Sequence, residues 1–317
     1  MRRYPGNHKL EEVLADRLEV GPDRVLVTNG SNDALDRACR TVLTAGREMI
    51  VPVPTFAMLL RYARLTGADL RSVPWFEGSL PVEPLLAVSG ASTSAVGLTS
   101  PNNPTGAVIS PAEVESLSRE LPGALIILDL AYIEFADEDV TREALALPNV
   151  VVIRTLSKAW DLAGLRVGYA IGPPGIITWM RRAGQHYPVS GLSAALAMEW
   201  LKRGEEEVGE YVNRVRRERS ALSSILRNLG AVPFPSQANF VLARFPDASG
   251  TFQGLAEAGI AVRTFPGTKG LEDCLRITCP GEADQFERLI GSLTDILTDP
   301  LKDLRDREPA SAEKERS

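Results

Sequence analysis

The stretch TLSKAWDLAGLRVGY (residues 155–169) decides how the rest of the sequence is interpreted. It follows VVVI (residues 150–153), an apolar, β-branched run that predicts a buried strand. This strand delivers Thr155, Ser157 and Lys158 to its carboxyl end. In open α/β sheets, ligands bind at that end of the strands.

Arg166 follows in the same stretch and opens a further apolar run, Val167–Ile171. Two hydroxyl groups, one amine and one guanidinium therefore converge on a small volume. Such a set suits a phosphate ester beside a reactive amine. A lysine in a loop is by itself most often an ordinary surface residue, so the interpretation depends on the remaining chain.

Composition and charge exclude several classes of function. The chain has 317 residues, enough for two domains with a large shared core, and a net charge of −6, which argues against nucleic acid as a partner. No apolar run is long enough to span a membrane, and the basic start leads into no signal-peptide core. Three cysteines (Cys39, Cys274, Cys279) and two histidines favour a cytoplasmic enzyme without a metal or a Ser-His-Asp triad.

Strand and helix patterns alternate through the first half of the chain. Strands are predicted over residues 25–28, 49–53, 95–98, 125–128 and 150–153 and near 69–73, with helices over 8–18 and 34–42, one that follows Phe56 and ends near residue 65, and one over 111–121. Ser110 and Glu113 have the spacing of a capping box at the start of the last of these helices. This alternation predicts an α/β fold in which helices cover both faces of a largely parallel sheet.

The second half is different. Helices are predicted over residues 176–183, 192–201 and 205–229, followed by strand 239–243, helix 251–258, strands 260–263 and 275–278, and helix 283–297. We therefore expect a large domain over residues 1–203, a smaller α+β domain over 204–300 and a charged, disordered tail over 301–317.

The segment NGSND (residues 29–33) joins the first strand to a helix. Free backbone N–H groups at such a helix start form an anion site. An ordinary turn with Ser31 as the helix N-cap explains the local sequence equally well.

Asp129 directly follows the apolar run ALIIL and is expected at the same sheet edge as Lys158. A carboxylate there is often only a cap or turn residue. It can also hold the proton on the ring nitrogen of pyridoxal phosphate (PLP), which makes the ring withdraw electrons from the substrate. Tyr132 and Asn103 could donate hydrogen bonds to the ring's phenolic oxygen.

Taken together, these motifs resemble those of fold-type-I PLP-dependent aminotransferases of class I/II, and most of all those of histidinol-phosphate aminotransferases. The matching segments run in family order: RYPG (3–6), NGSND (29–33), PVPTF (52–56), SPNNPTG (100–106), LDLAYIEF (128–135), TLSKAWDLAGLRVGY (155–169), SQANF (236–240) and GIAVR with CLRIT (259–278). The resemblance implies a PLP-binding large domain with a mostly parallel seven-stranded sheet, plus a smaller C-terminal domain.

The resemblance also implies a role for each matching residue. Lys158 carries the cofactor covalently and then moves a proton, Asp129 pairs with the ring nitrogen, and Phe56 stacks on the ring unless it is an ordinary core aromatic. The cofactor-binding set implied is Gly30, Ser31, Asn32, Phe56, Asn103, Asp129, Tyr132, Thr155, Ser157, Lys158 and Arg166, with Tyr4 reaching the cofactor phosphate of the neighbour in a homodimer. Arg276 binds the substrate's acidic group, and Arg263 adds a second positive charge or forms a solvent salt bridge.

Three departures from the family pattern bear on function. Leu130 replaces a common glutamate, Asp161 replaces a small residue, and the chain starts almost at RYPG, which predicts a more open substrate pocket unless the start codon is misplaced. We expect amino transfer between a donor, histidinol phosphate or a related or aromatic amino acid, and a 2-oxo acid such as 2-oxoglutarate. The alternatives are a PLP-dependent decarboxylase of the phosphothreonine type and a shortened, non-catalytic PLP-binding relative.

Overall fold

The computed structural model describes residues 4–298, so the tail predicted over residues 301–317 lies outside the described residues, as does Arg3 of the RYPG segment. Within that range the larger sheet has seven strands. They are β1 (Val25–Asn29), β2 (Glu48–Val53), β3 (Asp69–Pro74), β4 (Thr93–Thr99), β5 (Leu125–Asp129), β6 (Val150–Thr155) and β7 (Val167–Ile171).

The strand order across this sheet is β1-β7-β6-β5-β4-β2-β3. Strands β2 to β6 pair in parallel, whereas β7 is antiparallel to both β1 and β6. The prediction of a mostly parallel, seven-stranded sheet is confirmed. The turn between β6 and β7 contains Lys158 and Arg166, so one short connection carries both residues to the sheet edge.

The helices of residues 4–298 cover both faces of this sheet and, toward the C-terminus, pack on a second, smaller sheet. They are α1 (His8–Arg17), α2 (Gly30–Val42), α3 (Ala57–Leu65), α4 (Val82–Ala87), α5 (Pro111–Glu120), α6 (Thr141–Leu145), α7 (Pro174–Arg182), α8 (Gly191–Arg203), α9 (Glu205–Asn228), α10 (Ala248–Glu257) and α11 (Ala283–Thr298). Successive residues of β6 point to opposite faces, Val150 into one apolar cluster and Val151 into the other. Burial on both faces explains why the central strands are continuously apolar.

The start of α5 confirms the predicted capping box. The Ser110 hydroxyl accepts a hydrogen bond from the Glu113 backbone N–H at 3.4 Å, and the Glu113 carboxylate accepts one from the Ser110 backbone N–H at 2.7 Å. Glu113 also accepts a hydrogen bond from the Leu80 N–H at 2.8 Å. One side chain thus satisfies the helix start and joins it to the preceding segment.

A smaller antiparallel sheet follows α9, with the order β10-β9-β8 for β8 (Val232–Pro233), β9 (Phe240–Arg244) and β10 (Cys274–Thr278). The strand predicted over residues 260–263 is wrong, because only Arg263 pairs with Arg276, through a single bridge. Gly259, with φ +71°, starts this segment, and a loop containing Gly267 at φ +69° follows it, so its backbone diverges from β10. The domain boundary near residue 204 remains a prediction.

Two further observations concern residues 4–298 alone. None of their helices combines the length and the apolar character needed to cross a bilayer. The same residues contain no cluster of three or more histidine, cysteine, aspartate or glutamate side chains that could hold a metal ion.

Candidate active site

Several of the predicted site residues lie at the carboxyl ends of β4, β5 and β6. Asp129, the last residue of β5, lies in register with Thr99 of β4 and Ile153 of β6. Lys158 follows β6, and its Nζ lies 5.3 Å from the centre of the Tyr132 ring. The structure therefore brings Asp129, Tyr132 and Lys158 together, as expected from the strand ends.

Asp129 is buried at the end of its strand, with 3% of its surface exposed. Its Oδ1 accepts a hydrogen bond from the backbone N–H of Ala131 at 3.1 Å. Burial raises the pKa of the carboxyl from 3.8 to about 7, while the Ala131 hydrogen bond and the Lys158 charge act in the opposite direction. A cation placed against this carboxyl would therefore relieve a large desolvation penalty.

The predicted anion site lies at the start of α2. Gly30 has φ +73°, and a Cβ there would come 2.5 Å from Nη2 of Arg166. Only glycine therefore lets the guanidinium lie over this turn. Ser31 and Asn32 form the first turn of the helix, and its N-cap is Asn29 rather than Ser31, so the alternative of a Ser31 cap is wrong.

Gly168, in β7, contacts the predicted anion site although it is not among the residues predicted to form it. A Cβ at this position would overlap the carbonyl carbon of Gly30 and the amide nitrogen of Ser31. The strand backbone thus lies directly against the start of α2 and supports the turn from behind. The available signal was a glycine inside an otherwise apolar strand, which indicates close backbone approach.

Two hydroxyl groups extend the anion site from the β6–β7 turn. The Thr155 hydroxyl lies 3.0 Å from that of Ser157, and Thr155 Oγ1 accepts a hydrogen bond from the Ser157 N–H at 3.1 Å. Thr155 is buried, whereas Ser157 and Lys158 are partly exposed. Arg166 is exposed, with φ 54°, and donates to the carbonyl oxygen of Ala163 at 3.3 Å.

Arg276 reaches the site from β10 of the smaller sheet. Its Nη1 donates to Oδ1 of Asn103 at 2.6 Å, and its guanidinium lies 4.7 Å from the centre of the Phe240 ring. Its Nε is buried and has no hydrogen-bond partner among residues 4–298. Burial lowers its pKa, although it remains a cation at neutral pH. A free, buried donor on a fixed guanidinium is suited to an acidic group of a ligand.

Phe240 is a second residue whose role the sequence did not reveal, although it belongs to the SQANF segment. Its ring is 1% exposed and packs edge-to-face on Tyr132, with 5.3 Å between ring centres. It therefore lies between Tyr132, which follows β5 of the larger sheet, and Arg276 in β10 of the smaller one. The contact joins residues more than 100 positions apart, so no local pattern contains it.

The remaining predicted residues lie toward the periphery. Tyr4 is 79% exposed, and its ring stacks on that of Tyr187 at 4.8 Å. Phe56 is partly buried at the start of α3, against the apolar cluster under α2 and α3. Arg263 is exposed, and its backbone exchanges hydrogen bonds of 3.0 and 2.9 Å with Arg276.

These groups fit PLP. The turn at Gly30 offers N–H donors beneath the Arg166 guanidinium, as a phosphate ester requires. The buried carboxyl of Asp129 suits a protonated ring nitrogen, and the Lys158 amine lies beside the Tyr132 ring. One sheet edge thus offers donors for the phosphate of PLP, a carboxyl for its ring nitrogen and an amine for its aldehyde.

Comparison with known proteins agrees with this chemistry. The family model for aminotransferase class I and II matches residues 1–293. Histidinol-phosphate aminotransferase from Caldanaerobacter subterraneus subsp. tengcongensis is 36% identical over 297 residues, 93% of this chain and 84% of the relative. The crystal structure of histidinol-phosphate aminotransferase from Sinorhizobium meliloti in complex with pyridoxal-5'-phosphate has a TM-score of 0.84 and 28% identity, covering 93% of this chain and 83% of that one.

L-threonine-O-3-phosphate decarboxylase from Porphyromonas gingivalis is also similar, with a TM-score of 0.80 over 93% of this chain and 90% of that one. Its identity of 24% makes this a likeness of fold alone. The assignment of activity rests on the family match and on relatives of higher sequence identity, such as the one from Caldanaerobacter. The chain belongs to the aminotransferase class I and II family and is a fold-type-I, PLP-dependent aminotransferase similar to histidinol-phosphate aminotransferases.

Proposed function

We propose that this aminotransferase takes its amino group from histidinol phosphate and passes it to 2-oxoglutarate. The observation that carries the proposal is the pairing of Arg276 with Arg263. Residues directly opposite each other in an antiparallel bridge project to the same face, and the charge of Arg263 contributes to the lowered pKa of Arg276. Two neighbouring cations suit a phosphate dianion on the donor and the distal carboxylate of the acceptor.

The proposed catalytic residues are Lys158, Asp129 and Tyr132. When bound, PLP supplies an electron sink that stabilises negative charge on the substrate's α-carbon. Lys158 holds the cofactor and, once free, moves the proton at that carbon. Asp129 keeps the ring nitrogen protonated, because the buried carboxylate gains a cationic partner. Tyr132 and Asn103 donate to the phenolic oxygen.

The proposed phosphate site combines backbone and side-chain donors. The N–H groups at the start of α2, from Gly30 to Asn32, point at the phosphate, which the helix dipole also favours. The other members of the site are the Thr155 and Ser157 hydroxyls and the Arg166 guanidinium. Phe56 covers one face of the ring. The Gly30–Arg166 geometry and the close approach of Gly168 support this assignment.

We also propose a homodimer in which Tyr4 reaches the cofactor phosphate of the partner chain. Tyr4 stacks on Tyr187, which is 52% exposed, and the first two turns of α8 carry the exposed side chains Leu192 and Leu196, at 63% and 56%. Pro5 lies next to the start of α8, since a Cβ on Gly191 would contact its side chain at 3.6 Å. Exposed large apolar side chains on these neighbouring segments support burial against a second copy.

A cytoplasmic location is part of the same proposal. All three cysteines of the chain are free and buried. Burial raises the pKa of the Cys39 and Cys279 thiols to about 12, so they carry no thiolate at neutral pH. Inert, unpaired thiols are in keeping with a reducing compartment.

The absorbance spectrum of the purified protein with PLP tests the proposed function. The wild type should show the visible band of lysine-bound cofactor, Lys158→Ala should lack it, and Lys202→Ala, at an exposed position of α8, should keep it. Histidinol phosphate should remove the band and 2-oxoglutarate should restore it. A band that responds to an aromatic amino acid but not to histidinol phosphate would refute the proposed donor. Release of CO₂ in place of amino transfer would refute the reaction.

A further inference from the structure

Two arginines of α9 contact the turn that follows Tyr132. This turn is a 3-10 helix, Ile133–Phe135. Arg216 donates from Nε to the Phe135 carbonyl at 3.2 Å and from Nη2 to the carbonyls of Glu134 and Ala136. The carbonyl ends of helical turns carry partial negative charge, so a guanidinium stabilises them.

Arg219 makes a different contact. Its Nη1 donates both to the carbonyl of Phe135 at 3.0 Å and to the carbonyl of Ala238 at 2.9 Å. The side chain is 8% exposed, and burial lowers its pKa. One buried nitrogen thus joins the turn after Tyr132 to the segment that leads into β9. Placing a cation at this depth is costly unless its hydrogen bonds are made.

The two segments joined by Arg219 carry the aromatic contact of the active site. Tyr132 lies three residues before Phe135, and Phe240 lies two residues after Ala238. The Tyr132 and Phe240 rings are in edge-to-face contact, and Phe240 supports the Arg276 guanidinium. A change in the distance between the segments would therefore reach Tyr132 and Arg276 together.

Other hydrogen bonds hold the same region without Arg219. The Asp137 N–H donates to Oε1 of Gln237 at 2.8 Å, and the Gln237 N–H donates to the carbonyl of Gly106 at 2.9 Å. These bonds keep the segments attached when Arg219 is replaced, so a variant should fold. Arg219 adds a direct hydrogen-bonded link between the two segments, close to the Tyr132 and Phe240 rings.

We propose that Arg219 is a positioning residue that sets Phe240, and through it Arg276, for binding the substrate's acidic group. The proposal rests on the proposed function in that Arg276 is taken as the carboxylate-binding residue. Arg219 itself touches neither substrate nor cofactor. Its effect should therefore fall on the affinity for a dicarboxylate and less on the binding of PLP, whose phosphate site lies at α2 and the β6–β7 turn.

Calorimetric titration of the PLP-loaded enzyme with glutarate, which lacks the 2-oxo group and cannot react, tests the proposal. Arg219→Met should raise the Kd for glutarate and the KM for 2-oxoglutarate on the order of 10-fold or more, with a smaller change in kcat. Arg219→Lys, which retains the charge, should recover part of the loss. Arg217→Met, at an exposed position of the same helix, should match the wild type.

Thermal melting and the Kd for PLP, measured on the same samples, separate positioning from a general loss of structure. Arg219→Met binding glutarate as tightly as Arg217→Met would overturn the proposal. Equal losses of PLP and glutarate affinity would overturn it as well, since positioning of Arg276 predicts unequal ones. A wild type that binds PLP but not glutarate would refute the dicarboxylate site itself, and the role of Arg219 with it.

Discussion

Replacing the buried carboxyl Asp129 with asparagine should have opposite effects on the cofactor-free and the cofactor-loaded protein. Asparagine has nearly the same shape and keeps an oxygen that can accept the hydrogen bond from the Ala131 N–H. It cannot ionise. The substitution therefore removes the charge and leaves the packing at the end of β5 intact.

The expected change in the free energy of unfolding follows from the pKa of Asp129, which burial raises from 3.8 to about 7. Because the folded protein retains this proton to a higher pH than the unfolded chain, stability falls as the pH rises through this interval and is constant above it. The difference corresponds to about 4 kcal/mol at pH 8.5. Asp129→Asn avoids this loss, so the cofactor-free variant should be more stable than the wild type at pH 8.5 and similar to it near pH 4.

Urea unfolding of the cofactor-free proteins at pH 4.5, 6.5 and 8.5, at one protein concentration, measures the effect. The stability difference should grow with pH, and a difference that is constant or shrinks with pH would refute the reasoning. With PLP bound, the order should reverse, because the wild-type carboxylate then faces the ring nitrogen while the amide has no charge to offer. A variant that binds PLP as tightly as the wild type, with full turnover, would contradict the proposed pairing.

Two other changes test the phosphate site and the dimer. Gly168→Ala should weaken PLP binding at least about tenfold, because its Cβ displaces the donors at Gly30 and Ser31, whereas Gly175→Ala, with open space around it, should have no effect; unchanged PLP affinity in Gly168→Ala would contradict the close approach. Tyr4→Ala and Lys158→Ala chains should each lose activity as separate proteins. When equal amounts are mixed so that subunits exchange, about one quarter of the wild-type activity should return. Half of the dimers then contain one chain of each kind, and one of the two sites in such a dimer has both Lys158 and the partner's Tyr4. No recovery in the mixture would show that Tyr4 does not serve the partner's site.

The central sheet and the meeting of Asp129 with Lys158 could be predicted because they depend on local patterns. Apolar runs mark buried strands, and parallel strands bring their carboxyl ends to one edge. The strand prediction over residues 260–263 is wrong because it also rests on a local pattern alone. The apolar run Ile260–Val262 indicates an extended segment whether that segment pairs along its whole length or, as here, at Arg263 alone.

The buried arginines could not be predicted in this way. Arg154, Arg37 and Arg219 are at most 8% exposed, although arginine is usually a surface residue. Arg154 is held by the carboxylates of Glu134 at 2.9 Å and Asp139 at 3.1 Å, and Arg219 by two backbone carbonyls. Those acceptors lie between 15 and 84 residues from their arginine, on other elements of the fold, so the environment that permits burial exists only in the folded molecule.

The place of β7 between β1 and β6 has a consequence for synthesis on the ribosome. The turn at Gly30 is made early, but its supporting neighbour Gly168 emerges about 140 residues later, which takes on the order of 10 s at usual rates of translation. During that interval β1 has no partner strand, so the first βα unit of the nascent chain exposes apolar surface. The proposed phosphate site is therefore complete only after Gly168 has left the exit tunnel, so bound PLP cannot stabilise the nascent chain before that point.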